Sequence, residues 1–488
     1  MLRRTKIVAT LGPATDDPKV LDQIIDAGVD VVRINFSHGS HEEHQKRVEL
    51  VRNRARAHGR QVGVLADLQG PKIRTERFKN GKITLVEGST FTLDADCPRD
   101  DGDEEKVGIT YKQLPGDVSR GDTLLLDDGA IVLWVDQVNG NKVECRVVVG
   151  GVLSNNKGIN RQGGGLSADA LTDKDRKDLA FAAEIKADYL AISFPRCAAD
   201  IEHARELLKA AGGHADIVAK IERAEAIKCI DEIIDAADVV MIARGDLGVE
   251  IGDEELPGVQ KIIARKARMR DKVVITATQM MQSMVDSPMP TRAEVLDVAN
   301  AVIDGTDAVM LSAETAAGKY PAKAVAAMDR ICKGAERHQT EAEADWQSSD
   351  DEFTRVDEAI AKASIYTARR LGVKAIAALT ESGSTALWMS RHYSDIPIYA
   401  LTPKVETRRR VTLYQGVYPV SFKPESMSHA AVNQEAIDEL MRRGAVRDGD
   451  LVIITKGDLV GHHGGTNAMK IVRVGELPDA SGNNHLDT

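Results

Sequence analysis

No stretch of this 488-residue sequence is long and apolar enough to cross a bilayer, which takes roughly 18–20 consecutive apolar residues as a helix. The opening stretch MLRRTKIVATLGP has two arginines but only a short apolar run, broken by Gly12 and Pro13. Neither a signal peptide nor a membrane partner is expected. Cysteine is sparse: Cys97, Cys145, Cys197, Cys229 and Cys332 lie far apart, with no CxxC pair. That pattern argues against a disulfide framework or a structural zinc site and for a reducing, cytoplasmic location. Positive charge is outweighed, 64 Lys and Arg against 75 Asp and Glu, and the net −11 argues against broad nucleic-acid binding. HExxH, GxSxG and Walker-type lysine loops are missing, and with them the chemistries they signal. What remains is an ordinary globular composition, 43% hydrophobic and 28% charged. The length suits about three domains, or one large barrel with additions. Against the acidic background, several cations sit in short glycine-containing motifs.

The first third alternates between strand and helix. KIVAT (6–10) reads as a strand. Asp16 or Asp17 offers an N-cap, with Pro18 in the first turn, for a helix carrying Val20, Leu21, Ile24 and Ile25 that Gly28 ends. VDVVRI (29–34) is a second strand, a polar helix covers about 40–58, and VGVLAD (62–67) is a third strand. From about 71 to 167 the helical stripes vanish. KITLV, STFTLD, DTLLLDDGAIVLWV and KVECRVVVGGVL, separated by NG, DDG and RGD turns, predict an inserted β barrel or sandwich.

Alternation then resumes. Helices near 172–184, 200–210, 224–235, 257–269, 291–302 and 321–337 are interleaved with ADYLAIS, ADIVAKIE, DVVMIARGD, KVVITAT and DAVMLSAET. Eight strand–helix units outside the insertion predict a TIM (β/α)8 barrel, with a doubly wound open sheet as the alternative. HQTEAEADWQSSDDE (338–352) reads as a linker. A helix near 356–371 and the strands KAIAALT, IPIYALT, VYPVSF, LVIITKG and IVRV then suit a C-terminal doubly wound α/β domain. The expected domains are a barrel in two parts, 1–70 and 168–345, a β-barrel insertion at 71–167, and an α/β domain at 346–488.

A TIM barrel carries its chemistry at the C-terminal ends of its strands. Here those ends hold Arg33 to Gly39, Asp67 to Arg74, Lys220 to Glu222, Arg244 to Asp246, Thr278 with Gln279, and Ser312 to Thr315. One charge at a strand end is usually a solvated cap; charges at five strand ends point to a site. Arg33, Arg74 and Lys220 suit phosphate oxygens. Glu222 and Asp246 are hard oxygen ligands, a partial shell for Mg2+. Gly245 permits close backbone approach at a turn whose N–H groups suit an anion, and Thr278 supplies a hydroxyl. The combination points to phosphoryl transfer, which relies on positioning and charge neutralisation.

The strings KIVATLGPAT, RINFSHG, DLQGPKIRT, NNKGIN, AKIERAEA, IARGDLGVE, TATQMMQSM, PTRAEVLDVANAVIDGTDAVMLSAET, GKYP and GTNAMKIVRV resemble the pyruvate kinase family over nearly the whole chain. The resemblance implies phosphoryl transfer from phosphoenolpyruvate to ADP, giving pyruvate and ATP, with Mg2+ as cofactor and Mn2+ as a possible substitute. By motif match, Lys220 would stabilise the phosphoryl group in flight and Arg33 would touch it. Glu222 and Asp246 would bind Mg2+. Arg74, Lys157 and His38 would face the nucleotide. Gly245, Asp246 and Thr278 would hold the carboxylate end, with Thr278 serving enolate protonation. Ser312 and Glu314 would support the site. The insertion would be a lid that excludes water. The family prevalence of homotetramers makes that the expected assembly.

Two further expectations come from the resemblance. Many members hold K+ at positions matching Asn35, Ser37, Asp67 and Leu68; here Lys72 stands where those members have glutamate, a pattern that goes with K+ independence. Its ammonium would replace the monovalent charge. The loop TESGSTA (380–386) opens a predicted helix, and its Thr380, Ser382, Gly383, Ser384 and Thr385 match an effector loop. A sugar phosphate or nucleoside monophosphate would bind there, with added charge from Arg408 to Arg410 and Lys456. A metal-dependent aldolase on the same barrel, and a phosphometabolite sensor with a dead site, are the competing readings.

Overall fold

The computed structural model describes residues 2–339, 353, 355–425, 428–457 and 465–476. The 340–352 part of the expected linker, and with it the 345/346 boundary, lies outside the described residues. Eight strands, β1 (Lys6–Thr10), β2 (Val31–Asn35), β3 (Gly63–Asp67), β4 (Tyr189–Ile192), β5 (Asp216–Ile221), β6 (Val239–Ala243), β7 (Val273–Ala277) and β8 (Ala308–Leu311), close into a barrel in the order β1-β8-β7-β6-β5-β4-β3-β2. This is the TIM barrel that the strand–helix count predicts, not the open sheet. Its strands read as continuous β-branched and aliphatic runs because both faces are covered; β1, β3, β6 and β7 are buried at every position.

Local signals operate where the sequence places them. The helix Pro18–Asp26 is capped by Asp17, whose carboxylate accepts the N–H of Lys19, with Pro18 in the first turn. Thr172 and Asp175 form a reciprocal capping box at the start of Asp173–Glu184, as do Thr291 and Glu294 at Arg292–Ile303. Two helical details differ from expectation. The helix near 224–235 is two pieces, Ala224–Lys228 and Ile230–Ala236, meeting at Cys229, with no proline or glycine at the break. An additional helix, Arg244–Ile251, begins directly at the end of β6.

The chain groups into two compact units, one of residues 1–34, 45–65 and 280–488, the other of 35–44 and 66–279. The second unit holds the inserted β structure. There Ile159–Arg161, Thr123–Leu126, Ile131–Asn139, Lys142–Val149, Thr90–Asp94 and Lys106–Gly108 form a six-stranded sheet, and Gly151–Ser154 pairs with Lys82–Leu85. Among the described residues the pairing is thus a sheet plus a two-stranded ribbon rather than one ring. Two bulges on Ile131–Asn139 interrupt its ladder with Lys142–Val149. Asp127, Asp128 and Gly129 all have φ near +50° to +90°, so the DDG signal is a tight left-handed turn. Phe91, Leu93, Leu133, Val135 and Val143 build a core of the insertion's own.

The first unit holds the C-terminal sheet, ordered Val417–Ser421, Ile398–Thr402, Ala375–Leu379, Leu451–Gly457 and Thr466–Arg473, with only the last strand antiparallel. Arg391 follows the helix Ser384–Ser390 and donates to the carboxylate of Asp307, the residue before β8. Both side chains are buried. All five cysteines are free.

Candidate active site

Strand β5 places Lys220 two residues before Glu222, so the alternating pleat points both to the same side. The Lys220 ammonium is buried among three oxygens: Ser193 Oγ at 2.6 Å, Glu222 Oε1 at 2.9 Å and Asp67 Oδ1 at 3.3 Å. Ser193, just beyond β4, donates a hydrogen bond from its hydroxyl to the carbonyl of Leu68 at 2.7 Å. The other Glu222 oxygen accepts the N–H of Phe194 at 2.9 Å. Phe194 has φ +57°, a left-handed backbone held beside the cluster. Next to it Lys72 Nζ lies 3.1 Å from Asp246 Oδ1. Burial pushes the Glu222 carboxyl up; Lys220 opposes the shift, and the charges of Asp246 and Asp67 add to it. Glu222 and Asp246, near enough that the charge of one bears on the other, are two hard oxygen donors suited to a divalent cation.

Asp246 and Gly245 lie in the first turn of Arg244–Ile251, where backbone N–H groups have no intrahelical partner. A Cβ on Gly245 would meet Thr278 Cγ2 at 2.8 Å, so only glycine lets Thr278 pack there. Thr278 itself follows β7 with φ +74°.

Other expected site residues are anchored by their own neighbours. Asn35 Oδ1 accepts the N–H of Ser37 at 3.1 Å, and Lys174 Nζ donates to the Phe36 carbonyl at 2.6 Å, which fixes the loop bearing exposed His38. Gly70, at φ +68°, would drive a Cβ to within 2.7 Å of Ser193 Cβ, and its N–H donates to Asp175 at 3.0 Å. Arg74 donates to the Asn156 carbonyl at 2.9 Å, and Lys157 Nζ pairs with Asp127 at 2.7 Å. In the first unit Arg33 Nη1 donates to Thr10 Oγ1 at 3.1 Å. Buried Glu314 accepts the N–H groups of Met281 and Ser312, at 3.2 and 2.7 Å, so it braces the end of β8.

The 380–386 loop folds on itself. Thr380 Oγ1 accepts the Gly383 N–H at 2.9 Å, Ser382 and Ser384 hydroxyls lie 3.1 Å apart, and Thr385 meets Thr466 at 2.7 Å. Gly383 has φ +89°. Of the cations expected to add charge here, Arg408 donates to the carbonyls of Thr402 and Pro403, and Lys456 to the His429 carbonyl and to Asn433 Oδ1.

The sequence matches the family described as "Pyruvate kinase, barrel domain" over residues 2–325 and "Pyruvate kinase, alpha/beta domain" over 358–472. It is 55% identical to pyruvate kinase II of Salmonella typhimurium, covering 97% of this chain and 99% of that one. It is 54% identical to the pyruvate kinase of Haemophilus influenzae, covering 93% and 96%, and 44% identical to that of Geobacillus stearothermophilus, covering 98% and 81%. The chain belongs to the pyruvate kinase family. It is thereby a phosphotransferase, and the aldolase reading falls away.

Within this pyruvate kinase fold, two residues at the site carry no mark in the sequence. Ser193 ends a strand with no charge to mark it, yet bridges Lys220 to Leu68. The Leu68 carbonyl, at one of the positions that match the K+ site, accepts that hydroxyl. Glu250 is another. Its Oε2 accepts the Ala224 N–H at 2.9 Å, its Oε1 faces Asn160 Nδ2 at 3.5 Å, and its carbonyl accepts the Gly163 N–H at 2.9 Å. It therefore ties the end of the β insertion to the barrel. Burial pushes its carboxyl from 4.5 up to about 7, against the Ala224 hydrogen bond and with help from the charge of Glu225. A raised carboxyl favours the protonated folded protein. This stabilisation is full below the ordinary value and is lost as pH rises through about 7. Glu250→Gln should flatten the fall in thermal midpoint between about pH 5 and pH 8, a difference on the order of 2–3 kcal/mol. Parallel midpoint curves for the two proteins would refute this role.

Proposed function

We propose that the chain transfers the phosphoryl group of phosphoenolpyruvate to ADP, forming pyruvate and ATP in glycolysis. The observation that carries this reading is the Lys220 ammonium held by Asp67, Glu222 and Ser193, beside the Lys72–Asp246 pair. A fixed cation at a strand end stabilises a phosphoryl group whose charge spreads over its equatorial oxygens. Arg33, on motif match, contacts the same group. Glu222 and Asp246 hold Mg2+; no group of three or more His, Cys, Asp or Glu able to hold a metal occurs among the described residues. Two carboxylates suit Mg2+, which completes its shell from water and substrate oxygens. When bound, that ion supplies charge neutralisation to the phosphates. Gly245, Asp246 and Thr278 take the carboxylate end, and Thr278 serves the proton that converts enolate to pyruvate. Arg74, Lys157 and His38 serve the nucleotide.

We assign 71–167 as a lid inserted in the barrel, 1–70 and 168–345 as the barrel, and 346–488 as an effector-type domain. A phosphorylated metabolite at Thr380, Ser382, Gly383, Ser384 and Thr385 activates the enzyme. A homotetramer in the cytoplasm is the family expectation; no described helix is long and apolar enough to cross a membrane. Lys72 supports K+ independence, because its ammonium already stands beside the carboxylate cluster at Asp246.

A lactate-dehydrogenase-coupled assay with phosphoenolpyruvate, ADP and Mg2+ tests this. It is run with and without K+ at constant ionic strength, and with a sugar phosphate or nucleoside monophosphate added. Pyruvate formation without K+, increased by one of the phosphorylated compounds, is the expected result. No pyruvate under any condition rejects the function. Strong activation by K+ rejects only the assignment of Lys72.

A further inference from the structure

Thr278 and Gln279 sit at φ +74° and +55°, two consecutive left-handed residues, the first of them β-branched. A β-branched residue seldom adopts that conformation, and it persists only where the surroundings over-determine it. The surroundings here are specific. Ala243 and Ala277 are partners across β6 and β7, so the residues that follow them leave adjacent strand ends. From the first of these positions the Arg244 side chain reaches across. Its Nε donates to the carbonyls of Ala277 and Thr278, at 3.2 Å each, and its Nη2 donates to the Thr278 carbonyl at 2.7 Å. Charge-assisted bonds from a planar fork restrain orientation as well as distance. On the other side of Thr278, the missing Cβ of Gly245 admits its methyl group. With the carbonyl clamped and the methyl seated, the hydroxyl, on the same tetrahedral Cβ, has one direction left to it.

We propose that Arg244 is a positioning residue for the proton-delivery half of the reaction, clamping the left-handed turn that aims the Thr278 hydroxyl. This rests on the reading of the chain as a pyruvate-forming kinase with Thr278 at the proton step. In the first half, the bond from phosphorus to the enol oxygen breaks and a bond from phosphorus to an ADP β-phosphate oxygen forms, leaving enolate. In the second, C3 takes the Thr278 proton as the C2 carbonyl forms, and solvent returns a proton to the hydroxyl. Only the second half draws on the Thr278 proton, so with phosphoenolpyruvate saturating, loosening the turn separates the two.

Arg244→Gln removes the charge, and Arg244→Lys keeps it without the fork. Two readouts divide the reaction: rapid-quench ATP formation in the first turnover, and Mg2+- and ATP-dependent exchange of pyruvate methyl protons into D2O, followed by proton NMR. Misplacing a reacting group by an ångström costs on the order of 10²-fold, and that loss is expected in proton exchange for both variants. First-turnover ATP formation should stay within about threefold. Exchange at the unsubstituted rate, or ATP formation falling in parallel with exchange, overturns the proposal. If circular dichroism shows Arg244→Gln unfolded, Arg244→Lys decides. Thr278→Ala is run alongside. Normal exchange in Thr278→Ala, or no pyruvate from the unsubstituted enzyme, would refute the reading of the site itself; loss of exchange in Thr278→Ala alone would refute only the role of Arg244.

Discussion

Lys220→Met is expected to lower turnover by about 10³-fold or more, because removing one preorganised charge from a phosphoryl-transfer site costs on that scale. The ammonium is buried, and three oxygens from three strand ends, Asp67, Ser193 and Glu222, fix its position within 3.3 Å. Such a cation needs no reorganisation as charge develops, which is where most of its effect arises. The same change should also destabilise the fold. It withdraws the cation from two buried carboxylates, and breaking a buried pair from one side costs roughly 3–5 kcal/mol. The two effects are separable. Steady-state turnover measured well below the variant's unfolding midpoint reports the catalytic loss, and the midpoint reports the other. Lys220→Arg keeps the charge but not the size, so it should recover stability more than turnover. Near-normal turnover in Lys220→Met would remove Lys220 from the chemistry.

Arg391→Met should produce a loss of stability of similar size with far less change in chemistry. Its guanidinium and the Asp307 carboxylate are both buried, with Arg391 Nη1 at 3.0 Å from Asp307 Oδ2 and the Gln415 N–H at 3.2 Å from Oδ1. Loss of the arginine leaves the carboxylate inside without its cation, at roughly 3–5 kcal/mol. In a calorimetric scan this should lower the midpoint on the order of 10 °C. The double variant Arg391→Met, Asp307→Leu should regain much of the loss, since apolar replacement of a whole buried pair is often neutral. Asp307 lies at the N-terminal end of β8, away from Ser312 and Glu314, and that face of a barrel serves stability. Turnover of the folded variant should therefore stay within about tenfold of the unsubstituted enzyme. A double variant no more stable than Arg391→Met would show that the cost lies in packing rather than in the unpaired charge.

By itself the sequence determined what depends on near neighbours. Eight apolar runs with helices between them imply a parallel sheet, because a strand buried on both faces has to be apolar throughout, and the count of eight favours a barrel over an open sheet. Asp17, Thr172 and Thr291 cap their helices through bonds that span two or three residues. The same logic marks Lys220, Glu222 and Asp246, since a charge that interrupts the end of an apolar strand must face something other than the core. Tertiary structure decided what depends on which strand ends become neighbours. Ser193 is an ordinary serine until the barrel order places it between Lys220 and Leu68. Arg244 is one more charge beside β6 until its fork meets the carbonyl of Thr278. The carboxyl of Glu250 rises chiefly because the end of the insertion and the barrel bury it between Ala224 and Asn160. Residue type and spacing reveal which groups are unusual, but a buried charge takes its meaning from partners far along the chain, and only the closed barrel supplies them.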